Sequence, residues 1–170
     1  MSVFVTVGST GFDELISVLN SREFLQSLRT RGFRGLVVQY GASGDQFRLP
    51  NEASEELGIA VTGFDYAATG TQQHMDGAEL VITHGGAGSI LDALRARRPV
   101  IVVANRRLMA DHQCEVAEEL GRAGHVVVAS SDTLARAVVD GGFLRLSAFP
   151  NADPRPVGEI VDEEALLALV

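Results

Sequence analysis

One segment of the chain joins an apolar run, a glycine-rich turn and a helical pattern: Leu80-Val81-Ile82-Thr83-His84-Gly85-Gly86-Ala87-Gly88-Ser89-Ile90-Leu91-Asp92-Ala93-Leu94. A buried strand that turns at glycines directly into a helix leaves backbone N–H groups unpaired at the positive end of the helix dipole. Such an end binds anions, and phosphate is the usual ligand. The alternative is a tight structural turn, but the strand–turn–helix context favours phosphate binding. The candidate phosphate site is therefore His84, Gly85, Gly86, Ala87, Gly88 and Ser89.

A second glycine turn, Gly8-Ser9-Thr10-Gly11, follows the apolar run Val3–Val7. On its own this turn is equally consistent with a plain strand-to-helix connection, but the first turn adds weight to a binding role. It does not match the GxGxxG fingerprint of dinucleotide-binding proteins, and the chain has no GxxxxGK[ST] motif. The sequence therefore disfavours NAD-dependent and ATP-hydrolysing functions.

Short β-branched runs alternate with helical patterns along the chain. The runs are apolar throughout, which is typical of strands that are covered on both faces. This predicts an α/β fold, with a Rossmann-like parallel sheet flanked by helices and a single core in residues 1–140. The predicted strands lie near Val3–Val7, Leu36–Tyr40, Ile59–Thr62, Leu80–Thr83, Val100–Val103 and Val126–Ala129.

Local signals predict how the helices begin and where the chain is irregular. Asp13 is the predicted N-cap of the first helix and Ser21 that of the second. The segment Gly41–Asn51 lacks periodicity, which predicts a loop that is mobile without a ligand or partner. Residues 141–170 form a proline-containing tail, and from Val157 onward its pattern is that of a short amphipathic helix. Such a helix packs either on its own domain or on a partner subunit.

Composition excludes several classes of function. The 170 residues include 22 acidic and 14 basic side chains, a net charge of −8, which argues against nucleic acid as a partner. The single cysteine, Cys114, makes neither an internal disulfide nor a multi-thiolate metal site, so a reducing compartment such as the cytoplasm is expected. With no basic leader and no run of about 20 apolar residues, we expect no exported or membrane-spanning segment.

No cofactor or metal is predicted, because the four histidines lack the spacing of zinc ligands on one element. His74 and His125 are interpreted as structural. Asp92 is expected either to face the hydroxyls of a ribose or to lie near the helix dipole as a carboxylate. The polar loop after the fifth strand lies where ligands bind in such sheets. Its candidate contacts are Asn105, Met109, His112 and Gln113, although His112 taken alone is more typical of a surface residue at a helix N-terminus than of a ligand contact.

An ordered set of motifs carries a family resemblance. It comprises Leu80–Leu94, the run Pro99–Val103, the segment Leu108–Gln113, the opening Val5–Thr10 and the tripeptide Gly63–Asp65. Together they resemble the catalytic subunits of the eukaryotic UDP-N-acetylglucosamine transferases that add the second sugar to the dolichol-linked oligosaccharide. The likeness extends over nearly the whole chain. It implies the C-terminal, nucleotide-sugar-binding half of a GT-B glycosyltransferase, related to the peptidoglycan enzyme of glycosyltransferase family 28.

The resemblance also implies a role for each matched residue. The two glycine turns are expected to face the diphosphate of UDP-GlcNAc, with Phe64 and Asp65 near the uracil. Asp92 matches a position that binds the ribose hydroxyls, where the bacterial relatives have Glu. His112 and Gln113 match a segment that holds the sugar, while Cys114 stands where relatives have glutamine.

By the same resemblance, the acceptor-binding half is a separate, membrane-anchored subunit that the terminal helix contacts, at the cytosolic face of the endoplasmic reticulum. The implied reaction is an inverting transfer of GlcNAc to GlcNAc-diphosphodolichol, active only with the partner. The general base is expected on that partner, and His84 is the candidate within this chain. Two alternatives stay open: the donor-binding subunit of a split polyprenol-linked exopolysaccharide glycosyltransferase, and a non-catalytic UDP-sugar-binding scaffold.

Overall fold

The computed structural model describes residues 1–67, 70–104 and 111–150, with the backbone alone for residues 111–114. The described residues form a six-stranded sheet in which every neighbouring pair is parallel. Its strands are β1 (Ser2–Thr6), β2 (Gly35–Gln39), β3 (Ala60–Phe64), β4 (Leu80–His84), β5 (Val100–Val103) and β6 (Val127–Ala129). Across the sheet their order is β3-β2-β1-β4-β5-β6, which is the order of the doubly wound Rossmann fold.

Seven α-helices lie within the described ranges. They are α1 (Asp13–Leu19), α2 (Arg22–Thr30), α3 (Glu52–Glu56), α4 (Gln72–Asp76), α5 (Ala87–Arg95), α6 (Asp111–Arg122) and α7 (Leu134–Asp140). Three short 3-10 helices accompany them, at Gly41–Gln46, Ser131–Thr133 and Gly142–Arg145.

The sheet is covered on both faces, and successive residues of its central strands point to opposite cores. Ile82 packs in one core with residues of α1, α2 and α7, whereas its neighbour Val81 packs in the other with residues of α4, α5 and α6. The side chains of β5 are fully buried. This burial explains why the central runs are apolar throughout, since a strand between two helix layers has no solvent-facing side. The edge strand β3 is mostly exposed or half-buried.

The predicted α/β class and the parallel sheet are confirmed, and each predicted strand matches an observed one to within two residues. Ser21 is the N-cap of α2, where its Oγ accepts a hydrogen bond from the N–H of Phe24 at 3.2 Å. The prediction for Asp13 is wrong. Phe12 occupies the N-cap position of α1, and Asp13 is its first helical residue.

The predicted mobile loop Gly41–Asn51 is also wrong in its first half, because that half is the 3-10 helix Gly41–Gln46. Ser43 within it is only 3% exposed. At the other end of the segment, Asn51 is the N-cap of α3 and forms a reciprocal capping box with Ser54. Sequence periodicity does not reveal a helix this short and this rich in glycine.

Residues 141–150 pack on the same domain. Gly141 ends α7 in the left-handed conformation (φ 66°), as glycine commonly does after a helix. Phe143 is 2% exposed and lies in the core with its ring centroid 6.4 Å from that of Phe33. Nδ1 of His125 lies 3.1 Å from the carbonyl oxygen of Ser147, which holds the chain to the end of α6. The predicted terminal helix falls in residues 151–170, outside the described residues.

The burial of Phe143 implies that residues 141–150 contribute to the stability of the domain. Phe143→Ala is expected to lower the free energy of unfolding by about 3–5 kcal/mol, because it leaves a cavity beside Phe33. Leu144→Ala is the matched control, because its side chain is 66% exposed and its effect is expected to stay within about 0.5 kcal/mol. Urea denaturation measures both. Equal, small effects of the two substitutions would show that this segment does not belong to the core.

Candidate functional site

The candidate site lies at the carboxyl ends of β1 and β4, the two central neighbours of the sheet. Thr6 of β1 pairs with Thr83 of β4, so the turns that follow the two strands start side by side. From β1 the strand order runs outward to β2 and β3, and from β4 it runs outward to β5 and β6. This reversal of direction creates a crevice, and ligands of open α/β sheets bind there. The topology therefore brings the two predicted glycine turns together.

The N-terminus of α5 provides hydrogen-bond donors at this crevice. Gly86 is the N-cap residue in extended conformation, and no side chain caps the helix. The N–H of Ile90 is bonded to the carbonyl of Gly86, so the preceding amides of Ala87, Gly88 and Ser89 have no partner within the helix. A Cβ atom on Gly88 would meet no atom of another described segment within 4 Å. The helix end therefore presents amides and a positive dipole to open space, which is the arrangement that binds phosphate.

His84 lies between the two glycine turns. A Cβ atom on Gly86 would lie 2.5 Å from Nε2 of His84, and one on Gly8 would lie 2.9 Å from its Cε1. Both positions therefore exclude any residue larger than glycine while the imidazole stays in place. Gly8 also has a φ of +70°, a conformation that glycine adopts without strain. The imidazole of His84 thus packs against the backbone of both turns and fixes the distance between them.

The environment of His84 favours the neutral imidazole. Nδ1 is buried and has no hydrogen-bond partner in the described part of the chain. Burial lowers the pKa of His84 below its ordinary value, and the backbone of Thr6 only partly opposes this effect. A neutral imidazole adds no positive charge to the crevice. Among the described residues of the two turns, the groups that could meet an anion are therefore uncharged ones such as backbone amides.

Two buried polar side chains at the ends of β1 and β2 support the Gly8–Gly11 turn. The hydroxyl of Thr6 donates to Oε1 of Gln39 at 2.6 Å and accepts from the N–H of Gly8 at 3.2 Å. Thr6 is 1% exposed and Gln39 5% exposed. Sequence reasoning missed both residues, because an apolar strand pattern gives no reason to select them. Their signal is two polar residues at the carboxyl ends of adjacent, otherwise apolar strands.

Asp92 lies one turn after Ser89 and on the same face of α5, since residues three apart are neighbours on a helix. Its side chain is 49% exposed, and Oδ1 lies 3.4 Å from Nη1 of Arg95. It is the sixth residue of the helix, and the helix dipole acts mainly within the first turn. The position of Asp92 therefore does not support an interaction with the helix dipole. Its contact with a ribose stays a prediction.

Phe64 is the last residue of the edge strand β3 and Asp65 follows it, two strands from β1 and thus about 10 Å away in the plane of the sheet. The ring of Phe64 stacks on His74 with centroids 4.7 Å apart, and His74 stacks in turn on Phe4. Asp65 is exposed and accepts a hydrogen bond from the N–H of Tyr66 at 2.6 Å. The role of these two residues near a uracil stays a prediction.

The remaining predicted contacts are only partly covered by the structure. Asn105 and Met109 lie outside the described residues. His112 and Gln113 lie in the first turn of α6, but their side chains are not described. Helix α6 follows β5, the neighbour of β4, so this turn begins at the same edge of the sheet as the crevice.

No group of three or more His, Cys, Asp or Glu among the described residues is placed to hold a metal ion. No helix within the described ranges has the length and apolar character needed to span a bilayer. The absence of a cofactor stays a prediction.

Comparison with known proteins identifies relatives. A model of the glycosyltransferase family 28 C-terminal domain matches residues 2–152. The UDP-N-acetylglucosamine transferase subunit ALG13 of Yarrowia lipolytica is 42% identical over 134 residues, which are 78% of this chain and 66% of that protein. The human subunit of the same name is 36% identical over 124 residues, which are 73% of this chain but 10% of the human protein. The chain therefore spans less than two thirds of these relatives.

Solved structures share the fold. An NMR solution structure of ALG13 superposes with a TM-score of 0.66 at 28% identity and covers 94% of both chains. The crystal structure of the calicheamicin glycosyltransferase CalG4 superposes with a TM-score of 0.56 at 20% identity, covering 85% of this chain and 34% of CalG4. The predicted equivalence to one half of a GT-B fold is thereby confirmed.

The lowered pKa of His84 predicts a pH dependence of stability. The unfolded chain binds this proton more tightly than the folded chain, so the free energy of unfolding falls as the pH drops below about 6.5 and levels off below the folded-state pKa. His84→Asn is expected to lose this component. Denaturant unfolding of both proteins between about pH 7.5 and pH 5 measures the difference. An identical pH profile for the two proteins would contradict the burial argument.

Proposed function

The chain belongs to the glycosyltransferase family 28 C-terminal domain family, and from this membership we propose that it is the donor-binding subunit of a heteromeric N-acetylglucosaminyltransferase. Its donor is UDP-GlcNAc, and its acceptor is GlcNAc-diphosphodolichol, the substrate of the second step of lipid-linked oligosaccharide synthesis. Relatives named UDP-N-acetylglucosamine transferase subunits support both the donor and the need for a partner.

The observation that carries the proposal is the N-terminus of α5, which opens beside the first glycine turn without a side-chain cap. A hydrogen bond to a charged group contributes about 1.5–3 kcal/mol, whereas the dipole alone contributes about 0.3–1 kcal/mol at an exposed site. The amides of Ala87, Gly88 and Ser89 therefore supply most of the interaction with a diphosphate. The open space at Gly88 leaves room for phosphate oxygens to approach the backbone.

The same amides serve the chemical step. In an inverting transfer the acceptor hydroxyl oxygen forms a bond to C1 of GlcNAc from the face opposite the diphosphate. The bond from C1 to the phosphate oxygen breaks, and its electron pair leaves with UDP. Negative charge therefore increases on the diphosphate in the transition state, where fixed N–H donors stabilise it more than in the ground state.

The general base is assigned in this proposal to the partner subunit. His84 is neutral but poorly placed to take a proton from an acceptor, since its Nδ1 is buried and its Nε2 packs against Gly86. We assign to His84 the role of spacing the glycine turns. The partner is membrane-anchored, is contacted by the terminal helix, and recruits the chain to the cytosolic face of the endoplasmic reticulum.

Reconstitution with Gly88→Val tests this function. The wild-type chain is expected to bind UDP-GlcNAc and to transfer GlcNAc to a dolichol-linked acceptor only after the acceptor subunit is added. Gly88→Val is expected to weaken binding at least about tenfold, a loss of about 1.4 kcal/mol, because the branched side chain fills the space in front of the amides. The fold is expected to be retained, since no atom from another described segment lies within 4 Å of that Cβ. Calorimetry and a radiolabel transfer assay provide the two measurements.

Gln26→Val is the matched control, because it places the same branched side chain on the exposed face of α2, away from the crevice. Transfer by the isolated chain would contradict the division of labour. Donor binding without transfer after addition of the partner would favour the scaffold alternative, and transfer only to a different polyprenol acceptor would favour the exopolysaccharide alternative.

A further inference from the structure

The 3-10 helix Gly41–Gln46 packs directly against the first glycine turn. Gly41 has a φ of +53°, and a Cβ atom there would run into the carbonyl oxygen of Gly8 and lie 3.2 Å from the nitrogen of Gly11. The backbones of the two segments are therefore in contact, with no side chain between them. A shift of the 3-10 helix would move the turn with it.

Ser43 provides the polar link in this contact. Its Oγ donates a hydrogen bond to Oδ1 of Asp13 at 2.6 Å. A Cβ atom on Gly11 would lie 2.5 Å from that Oγ and 2.8 Å from the Ser43 nitrogen. Ser43 thus fills the space between the last residue of the turn and the first residue of α1. Phe12 provides no side-chain cap for α1. The hydrogen bond from Ser43 to Asp13 therefore restrains the backbone where the turn enters the helix.

The 3-10 helix is itself anchored on its other side. The ring of Phe47, which follows it, packs on Gly63 of β3 and lies with its centroid 5.1 Å from that of Tyr40. The N–H of Ser43 donates to the carbonyl of Tyr40 at 2.9 Å. Loss of the Ser43 hydroxyl therefore leaves the 3-10 helix and its backbone contact with the turn in place and removes only the hydrogen bond to Asp13.

We propose that Ser43 is a positioning residue for the donor diphosphate: it holds the Gly8–Gly11 turn in its binding conformation through Asp13 and Gly11, without touching the donor. This inference rests on the proposed function, because it requires that the turn face a diphosphate. A turn held in its bound conformation before the ligand arrives loses less entropy on binding. Removal of the restraint is consequently expected to appear as weaker binding.

Calorimetric titration with UDP tests the proposal in five variants. Ser43→Ala and Asp13→Ala each remove the hydrogen bond, and each is expected to raise the Kd about fivefold, which corresponds to a net hydrogen bond of about 1 kcal/mol. The double variant is expected to equal the single ones, since both remove the same interaction. Asp13→Asn keeps an oxygen acceptor for Ser43, so it is expected to bind more tightly than Asp13→Ala. This comparison separates the effect of the hydrogen bond on the Kd from the effect of the Asp13 charge.

Ser27→Ala is the matched control. Ser27 is 3% exposed, like Ser43, and its Oγ donates to the carbonyl of Phe24 at 2.6 Å, but it lies in α2 away from the turn. It is expected to leave the Kd for UDP unchanged, whatever it does to stability. Asp13 is exposed, so its substitution is expected to leave the fold intact. The comparison of Asp13→Ala with Asp13→Asn therefore tests the positioning role even if Ser43→Ala folds poorly.

The possible outcomes are distinct. Wild-type binding of UDP with an unchanged Kd in Ser43→Ala and Asp13→Ala would overturn the positioning role and leave the proposed function standing. A similar loss of affinity in Ser27→Ala would also overturn it, because the effect would then reflect stability alone. Failure of the wild-type chain to bind UDP would overturn both proposals.

Discussion

The contact of one imidazole with two glycines organises the candidate site. His84 ends β4, and its ring occupies the space that a side chain at Gly8 or Gly86 would need. Since these glycines belong to turns after adjacent parallel strands, the contact fixes the distance between the turns at the edge of the sheet. The amides of α5 and the backbone of the first turn can act on one ligand only if this spacing is kept. Burial is consistent with this structural role, because it keeps the imidazole neutral beside an anion site.

The two turns differ in how the protein supports them. The second turn leads directly into the nine-residue helix α5, whose buried residues Ile90, Ala93 and Leu94 anchor it to the sheet. The first turn leads into a shorter helix that lacks a side-chain cap, and its support comes from neighbouring segments. The hydroxyl of Thr6, itself bonded to Gln39, accepts a hydrogen bond from the N–H of Gly8, and the 3-10 helix after β2 packs against the side of the turn. Positioning of the first turn is thus distributed over residues distant in sequence.

The sequence predicts those features that depend on local pattern. The central strands were predictable because strands covered on both faces must be apolar throughout. The turn from His84 to Ser89 was predictable because glycines between an apolar run and a helical pattern mark a tight turn, whatever that turn binds. The predictions that failed depend on contacts between segments. Asp13 is a residue type that often caps helices, but its carboxylate instead accepts a hydrogen bond from the hydroxyl of Ser43. Neither residue that supports the first turn can be identified from its own segment alone, since Thr6 pairs with Gln39, 33 residues away in the chain, and only the two strand ends taken together indicate the pair.

The proposed function requires that a diphosphate bind to the backbone amides of the two glycine turns. A ¹H–¹⁵N correlation spectrum of the labelled chain, recorded during titration with UDP, tests this requirement. The largest chemical-shift changes are expected at the amides of Gly8–Gly11 and of Ala87, Gly88 and Ser89. Changes of similar size that exclude these amides, or no change at all at saturating UDP, would contradict it.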